Sequence, residues 1–237
     1  MKNYFPYILL AFVFSFSSCK KQEKEKPKVI YDTTTKEKVP VKMDTTQIKV
    51  ADLPINMEGT NYLIYPIGTV TGEKKGMKYA NDSEDSFTVS NYGEFQITGF
   101  LKNLKFQEIG QDTIYALTDK PVLILTATYL KSIATKSKKQ LLVYTLTDID
   151  SNKDNKLDTN DIKSIYISAI SGKNLTKLST DFQELIDWKV IEAKNSLYFR
   201  SIEDTNKNGE FDKDDKVHYN VVNLMDTEWL VQEYFPI

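Results

Sequence analysis

Two twelve-residue stretches, DSNKDNKLDTND at 150–161 and DTNKNGEFDKDD at 204–215, constrain this chain more than anything else in it. Each carries oxygen-bearing side chains at alternate positions, a spacing at which a tightly coiled loop turns them all inward. A hard cation takes six to eight oxygens, and such a coil can supply them. Both stretches are framed by runs of period two, the mark of a strand with distinct faces. LLVYTLTD places Leu142, Tyr144 and Leu146 on one face and Val143, Thr145 and Thr147 on the other. IYISAI, LYFRSI and VHYNVV alternate in the same way. An acidic loop between two such runs caps a β-hairpin.

The rest of the body reads alike. NYLIYPIGTV, DSFTVS, EFQITGF, NLKFQEI, TIYALT, VLILTATYL, WKVIEA and EWLVQEYF are short and apolar-rich. Fourteen Tyr and twelve Phe against nine Gly and seven Pro also favour strands. DFQELIDWKVIEA alone suits a helix as well as a strand–turn–strand. Asp150 and Asp204 stand 54 residues apart in matching contexts, close to the length of a four-stranded propeller blade. The segment ISGKNLTKLS resembles the strand–turn–strand of TolB-type propeller blades, and NLKFQEIGQDTIYALT reads as an earlier copy without a loop. The expectation is an all-β fold, a propeller-like array of antiparallel four-stranded units. A β-sandwich or barrel with long hairpin loops is the alternative.

Both acidic stretches resemble the EF-hand calcium loop, and more closely its dockerin variant with Asp at position twelve. The resemblance implies two Ca2+ sites. In the first, Asp150, Asn152, Asp154, Asp158 and Asp161 would contribute side chains and Lys156 its carbonyl. In the second, Asp204, Asn206, Asn208, Asp212 and Asp215 would contribute side chains and Glu210 its carbonyl. Position six needs a positive φ, which Gly209 supplies freely and Asn155 tolerates. Position eight is apolar in both, Leu157 and Phe211, and is expected to pin the loop to the core. The flanks depart from the family, being strands. With no helix pair to open, the sites read as structural, not as sensors. More carboxylates at the first loop predict tighter binding there, within the roughly 10⁻⁴–10⁻³ M range of extracellular modules.

The N-terminus carries an address. Residues 1–18, MKNYFPYILLAFVFSFSS, show a positive start, an apolar run and small residues, which is a secretory signal pattern too short for a stable membrane span. Phe16, Ser17, Ser18 and Cys19 resemble the bacterial lipobox, with Phe16 where the family usually has an aliphatic residue. The resemblance implies a lipid on Cys19, and hence a membrane as partner, anchored more firmly than by a single acyl chain. Lys20 in place of Asp after the cysteine points, by resemblance to lipoprotein sorting, to the bacterial outer membrane. KKQE partly resembles the surface-export signal of Bacteroidetes lipoproteins, so a periplasmic and an exposed face both stay open. Residues 19–58 are rich in Lys, Glu, Thr, Asp and Pro and are expected to be a disordered tether spanning about 35 Å. The all-β domain is expected over 59–237.

Function is bounded mainly by exclusion. A formal charge of −2 argues against nucleic acid, and a single cysteine rules out an internal disulfide. No nucleophile elbow, HExxH, phosphate-cradling glycine loop or zinc spacing occurs. His218, the sole histidine, reads as an exposed or hydrogen-bonded strand residue, Trp188 and Trp229 as core or edge packing, and the acidic stretch 81–85 as a polar turn. The expectation is a non-enzymatic, calcium-stabilised binding or scaffold lipoprotein facing a protein or glycan. A propeller-type surface hydrolase acting on glycan or peptide is the alternative.

Overall fold

The computed structural model describes residues 26–31, 47–71 and 88–237; the signal segment, Cys19 and the stretch 81–85 lie outside them. The described chain lays down β1 (Gln47–Ala51), β2 (Ile55–Asn56), β3 (Tyr62–Thr71), β4 (Ser90–Gly93), β5 (Gln96–Leu101), β6 (Asn103–Glu108), β7 (Ile114–Ala116) and β8 (Leu123–Tyr129). A short helix α1 (Lys131–Ser137) leads into β9 (Leu141–Thr147), β10 (Ser164–Ala169), β11 (Thr176–Lys177) and β12 (Gln183–Ile191). A 3-10 turn (Glu192–Lys194) then precedes β13 (Ser196–Glu203), β14 (Lys216–Asn223) and β15 (Val231–Glu233). Among the described residues no helix is long and apolar enough to cross a membrane.

The strands form three antiparallel sheets. The first runs β1-β3-β6-β7, with β2 beside β1 along the same flank of β3. The second runs β11-β10-β9-β8-β5-β4, and the third is the plain meander β12-β13-β14-β15. One of the sheets curls into a half-barrel. The second sheet lies between the other two. Its Leu142, Tyr144 and Leu146 pack with Met57, Ile64, Leu104 and Phe106 of the first-sheet side. Its Leu141, Val143, Ile165 and Ile167 pack with Leu185, Leu197, Phe199 and Val222 of the third. Both faces of β9 are therefore dry. The Thr face foreseen from alternation is buried too: Thr147 is fully buried, and Thr145 accepts a hydrogen bond from Trp188 Nε1 at 3.3 Å.

The all-β, antiparallel expectation holds, but four-stranded repetition does not extend through the chain. β8–β11 and β12–β15 are each four-stranded meanders with an acidic loop joining their second and third strands. β5 and β4 widen the second sheet to six strands, and the first has five. The loopless copy is the β6–β7 hairpin at the edge of the first sheet. DFQELIDWKVIEA contains a single strand, β12, with a bulge between Leu185 and Asp187. The bulge adds one residue, so Leu185 and Trp188 face the core three apart, which mimics helical spacing.

The body also begins earlier than residue 59. Residues 47–58, expected within the tether, supply β1 and β2, and Met57 is fully buried. The short alternation in QIKVADLPINM is diluted by Lys, Asp and Thr on either side, so composition alone hides it. Asp52, between β1 and β2, accepts hydrogen bonds from the amides of Val89 (3.0 Å) and Ser90 (2.9 Å), which ties the first sheet to the start of β4.

Candidate metal centre

Both acidic loops cap hairpins, 150–161 between β9 and β10 and 204–215 between β13 and β14. They share one backbone path. Positions four and six are left-handed in each: Lys153 (φ 57) and Asn155 (φ 64), then Lys207 (φ 57) and Gly209 (φ 86). The position-four bend is not signalled by its residue, since Lys rarely adopts it.

Seven amide-to-side-chain hydrogen bonds recur in both loops. The carboxylate at position one accepts from the amides at five and six: Asp150 from Asp154 (3.2 Å) and Asn155 (2.9 Å), Asp204 from Asn208 (3.1 Å) and Gly209 (2.7 Å). The position-three amide oxygen accepts from the same amide at five: Asn152 from Asp154 at 3.0 Å, Asn206 from Asn208 at 2.8 Å. The side chain at five accepts from the amide at seven: Asp154 from Lys156 at 2.8 Å, Asn208 from Glu210 at 2.7 Å. The carboxylate at twelve closes the ring. Asp161 accepts from Ser151 (2.7 Å) and Asp158 (3.0 Å), and Asp215 from Thr205 (3.0 Å) and Asp212 (2.9 Å). Asp158 and Asp212 each accept from the amide at eleven, both at 2.8 Å. Leu157 and Phe211 are half-buried.

The chemistry of this donor set suits a hard cation, because every candidate ligand is an oxygen. Each carboxylate offers about four lone-pair positions; Asp150, Asp204 and Asp215 each give two of them to loop amides, and Asp154 and Asp158 give one. Asp161 is fully buried. Burial raises its pKa above the ordinary carboxylate value, and the charge of Asp150 adds to that, while the amides of Asp158, Asn152 and Ser151 partly offset it. Among the described residues no three His, Cys, Asp or Glu side chains are gathered around one point. The loop carboxylates are turned to the loops' own amides.

A third element completes the arrangement. Residues 26–31, inside the expected tether, run extended between the two loops. Their amides alternate sides: Lys28 donates to Asn160 O (3.3 Å) and Ile30 to Ser151 O (2.8 Å) in the first loop, while Val29 donates to Gly209 O (3.0 Å) in the second. Ser151 Oγ donates to Lys28 O at 2.7 Å. Lys28 pairs with Glu210 at 3.3 Å, and Tyr31 rests against Phe182. The Val29 side chain is buried. Burial and the nearby Asp204 carboxylate push the Tyr31 hydroxyl up to about 12. The one signal for this strap in the sequence is the apolar run Val29, Ile30, Tyr31 in a Lys- and Glu-rich tract.

Elsewhere the polar residues support the scaffold. His218 lies between Glu203 (2.8 Å) and Glu233 (2.9 Å) on the third sheet. Trp188 and Trp229 pack against the core shared by the second and third sheets. Asp148, just before the first loop, holds Lys177 at 2.7 Å and accepts from Ser164 and Tyr166, both at 2.8 Å. These contacts brace β10 and β11 to the root of the loop. Searches of protein-family models, of curated proteins and of solved structures return no match to this chain.

Proposed function

We propose that this chain is a lipid-anchored protein of the bacterial envelope. Its body carries two structural calcium sites and serves as a binding or scaffold module, not as an enzyme. The observation that carries the calcium reading is the set of seven amide-to-side-chain hydrogen bonds that the two loops share. Two stretches that differ at seven of twelve positions fold into one coil, with the same left-handed positions and the same set of amide-to-side-chain bonds. An acidic turn that is merely solvated has no reason to be reproduced so closely. Calcium would neutralise the carboxylates and fix two hairpin tips. The ligands would be Asp150, Asn152, Asp154, the Lys156 carbonyl, Asp158 and Asp161 in the first loop. In the second they would be Asp204, Asn206, Asn208, the Glu210 carbonyl, Asp212 and Asp215.

The stacked sheets support reading the body as a short propeller-like array. Each of the last two sheets contributes a meander with its loop at the same connection, so both loops emerge on one side, where 26–31 reaches both. The anchor reading rests on the lipobox resemblance around Cys19 and places the protein at the outer membrane, with a protein or glycan as partner. Calorimetry tests the metal reading: calcium should give heat with the native chain and none with Asp150→Ala combined with Asp204→Ala. Equal heats, or none in either, would dismiss it. Metabolic labelling with a fatty acid should mark the native chain and not Cys19→Ser.

A further inference from the structure

We infer that the facing surfaces of the two acidic loops form a docking site for an extended backbone segment, filled by residues 26–31 of the same chain, and that calcium at the loops and the docked strap stabilise one another. The inference rests on the calcium reading above for its metal half and on observed contacts for the rest.

The strap holds the loops by their main chains. Its partners are the carbonyls of positions two and eleven in the first loop, Ser151 and Asn160, and of position six in the second, Gly209. Those carbonyls point at the strap only while each loop keeps its coil. Coil geometry is also what a cation would need and enforce, because the same turns aim the side-chain oxygens inward. Tyr31 adds a further link, since its hydroxyl lies close enough to Asp204, the first candidate ligand position of the second loop, to feel its charge. Val29 lies buried with its amide on one loop, while the amides of its neighbours reach the other. One short segment thus requires both coils together, and occupancy of one loop favours the coil of the other through it. Charge agrees in sign, because Lys28 of the strap pairs with Glu210 of the second loop. By linkage, whatever calcium adds to strap docking, the strap adds to calcium affinity.

The test uses the full chain in detergent, with Val29→Asn to release the strap. Ile30→Asn serves as a control, because the Ile30 side chain is about half exposed at 48%. Calcium titration by calorimetry is paired with amide exchange at Val29 and Ile30. The expected result is that calcium slows exchange at both amides in the native chain, and that Val29→Asn binds calcium at least threefold more weakly while Ile30→Asn does not. A change of less than threefold in Val29→Asn, or exchange indifferent to calcium in a native chain that binds it, overturns the linkage and leaves the calcium reading intact. No calcium heat in the native chain overturns the calcium reading and the linkage with it. In that case fast exchange at Val29 and Ile30 would overturn the docking as well.

Discussion

Gly209→Asn isolates the strap from the loop it rests on. The substitution copies into the second loop the residue that the first carries at the equivalent place, Asn155, which adopts φ 64 there. Asn is among the few residues that tolerate this region, so the coil itself is little strained. A Cβ at Gly209, however, would stand 2.6 Å from the Val29 carbonyl oxygen, closer than real contacts allow, and that atom is backbone with no rotamer to escape into. The strap must withdraw. It then loses the Val29 amide bond to Gly209, worth about 1 kcal/mol net, and some of the Val29 burial, worth about 1.5 kcal/mol at most. Part of this returns as chain entropy of the freed residues. The expected loss is about 1–2 kcal/mol. Gly110→Asn is the matched control, because Gly110 has φ 90 and open space where its Cβ would go. Urea unfolding of the two variants should differ by about that amount, and Val29 and Ile30 amides should exchange faster only in Gly209→Asn. Equal unfolding free energies together with unchanged exchange would refute the claim that the strap is held against the second loop.

Three further outcomes test the scaffold. Gly172→Ala should cost about 2–4 kcal/mol, read as a lower urea midpoint at constant slope, because the residue has φ 76 and its Cβ would lie 2.5 Å from the Phe106 ring; a cost under about 1 kcal/mol would show that the first and second sheets give way there. Glu184 is buried, and burial raises its pKa above the ordinary glutamate value, with the Lys163 bonds only partly offsetting it. The folded state therefore holds its proton more tightly than the unfolded chain, so stability is full below about 4.5 and falls as pH rises through the folded value. Native protein should lose stability relative to Glu184→Gln over that rise in thermal unfolding, and a constant or opposite gap would contradict the assignment. Asp52→Ala strands the Val89 and Ser90 amides and should cost about 1–3 kcal/mol in the same urea assay, with no change in calcium heat.

The parts of this fold that were legible in the sequence are those whose signal is local. The coiled hairpin loops were readable because all their oxygen-bearing positions lie within twelve residues, and β9, β10, β13 and β14 because their periodicity is unbroken. The burial of both faces of β9 was not, since a Thr-bearing face reads as solvated until a second layer covers it. The short helix α1 was missed because KSIATKS is mostly polar, with only Ile133 and Ala134 buried.

The strap was the hardest to foresee. Its bond to Ser151 spans 123 residues, and it is made almost wholly of backbone donors and acceptors, which any residue can supply. Only Lys28, Val29 and Tyr31 commit side chains to it. The clearest trace of it lies in the loop it touches. Asn155 shows that position six of this coil does not demand glycine, so the turn alone does not account for Gly209. The approach of the Val29 carbonyl does: one glycine meets two requirements, and the motif reveals only the first. A difference between two otherwise equivalent loops is thus the place where a tertiary partner leaves its mark on the sequence.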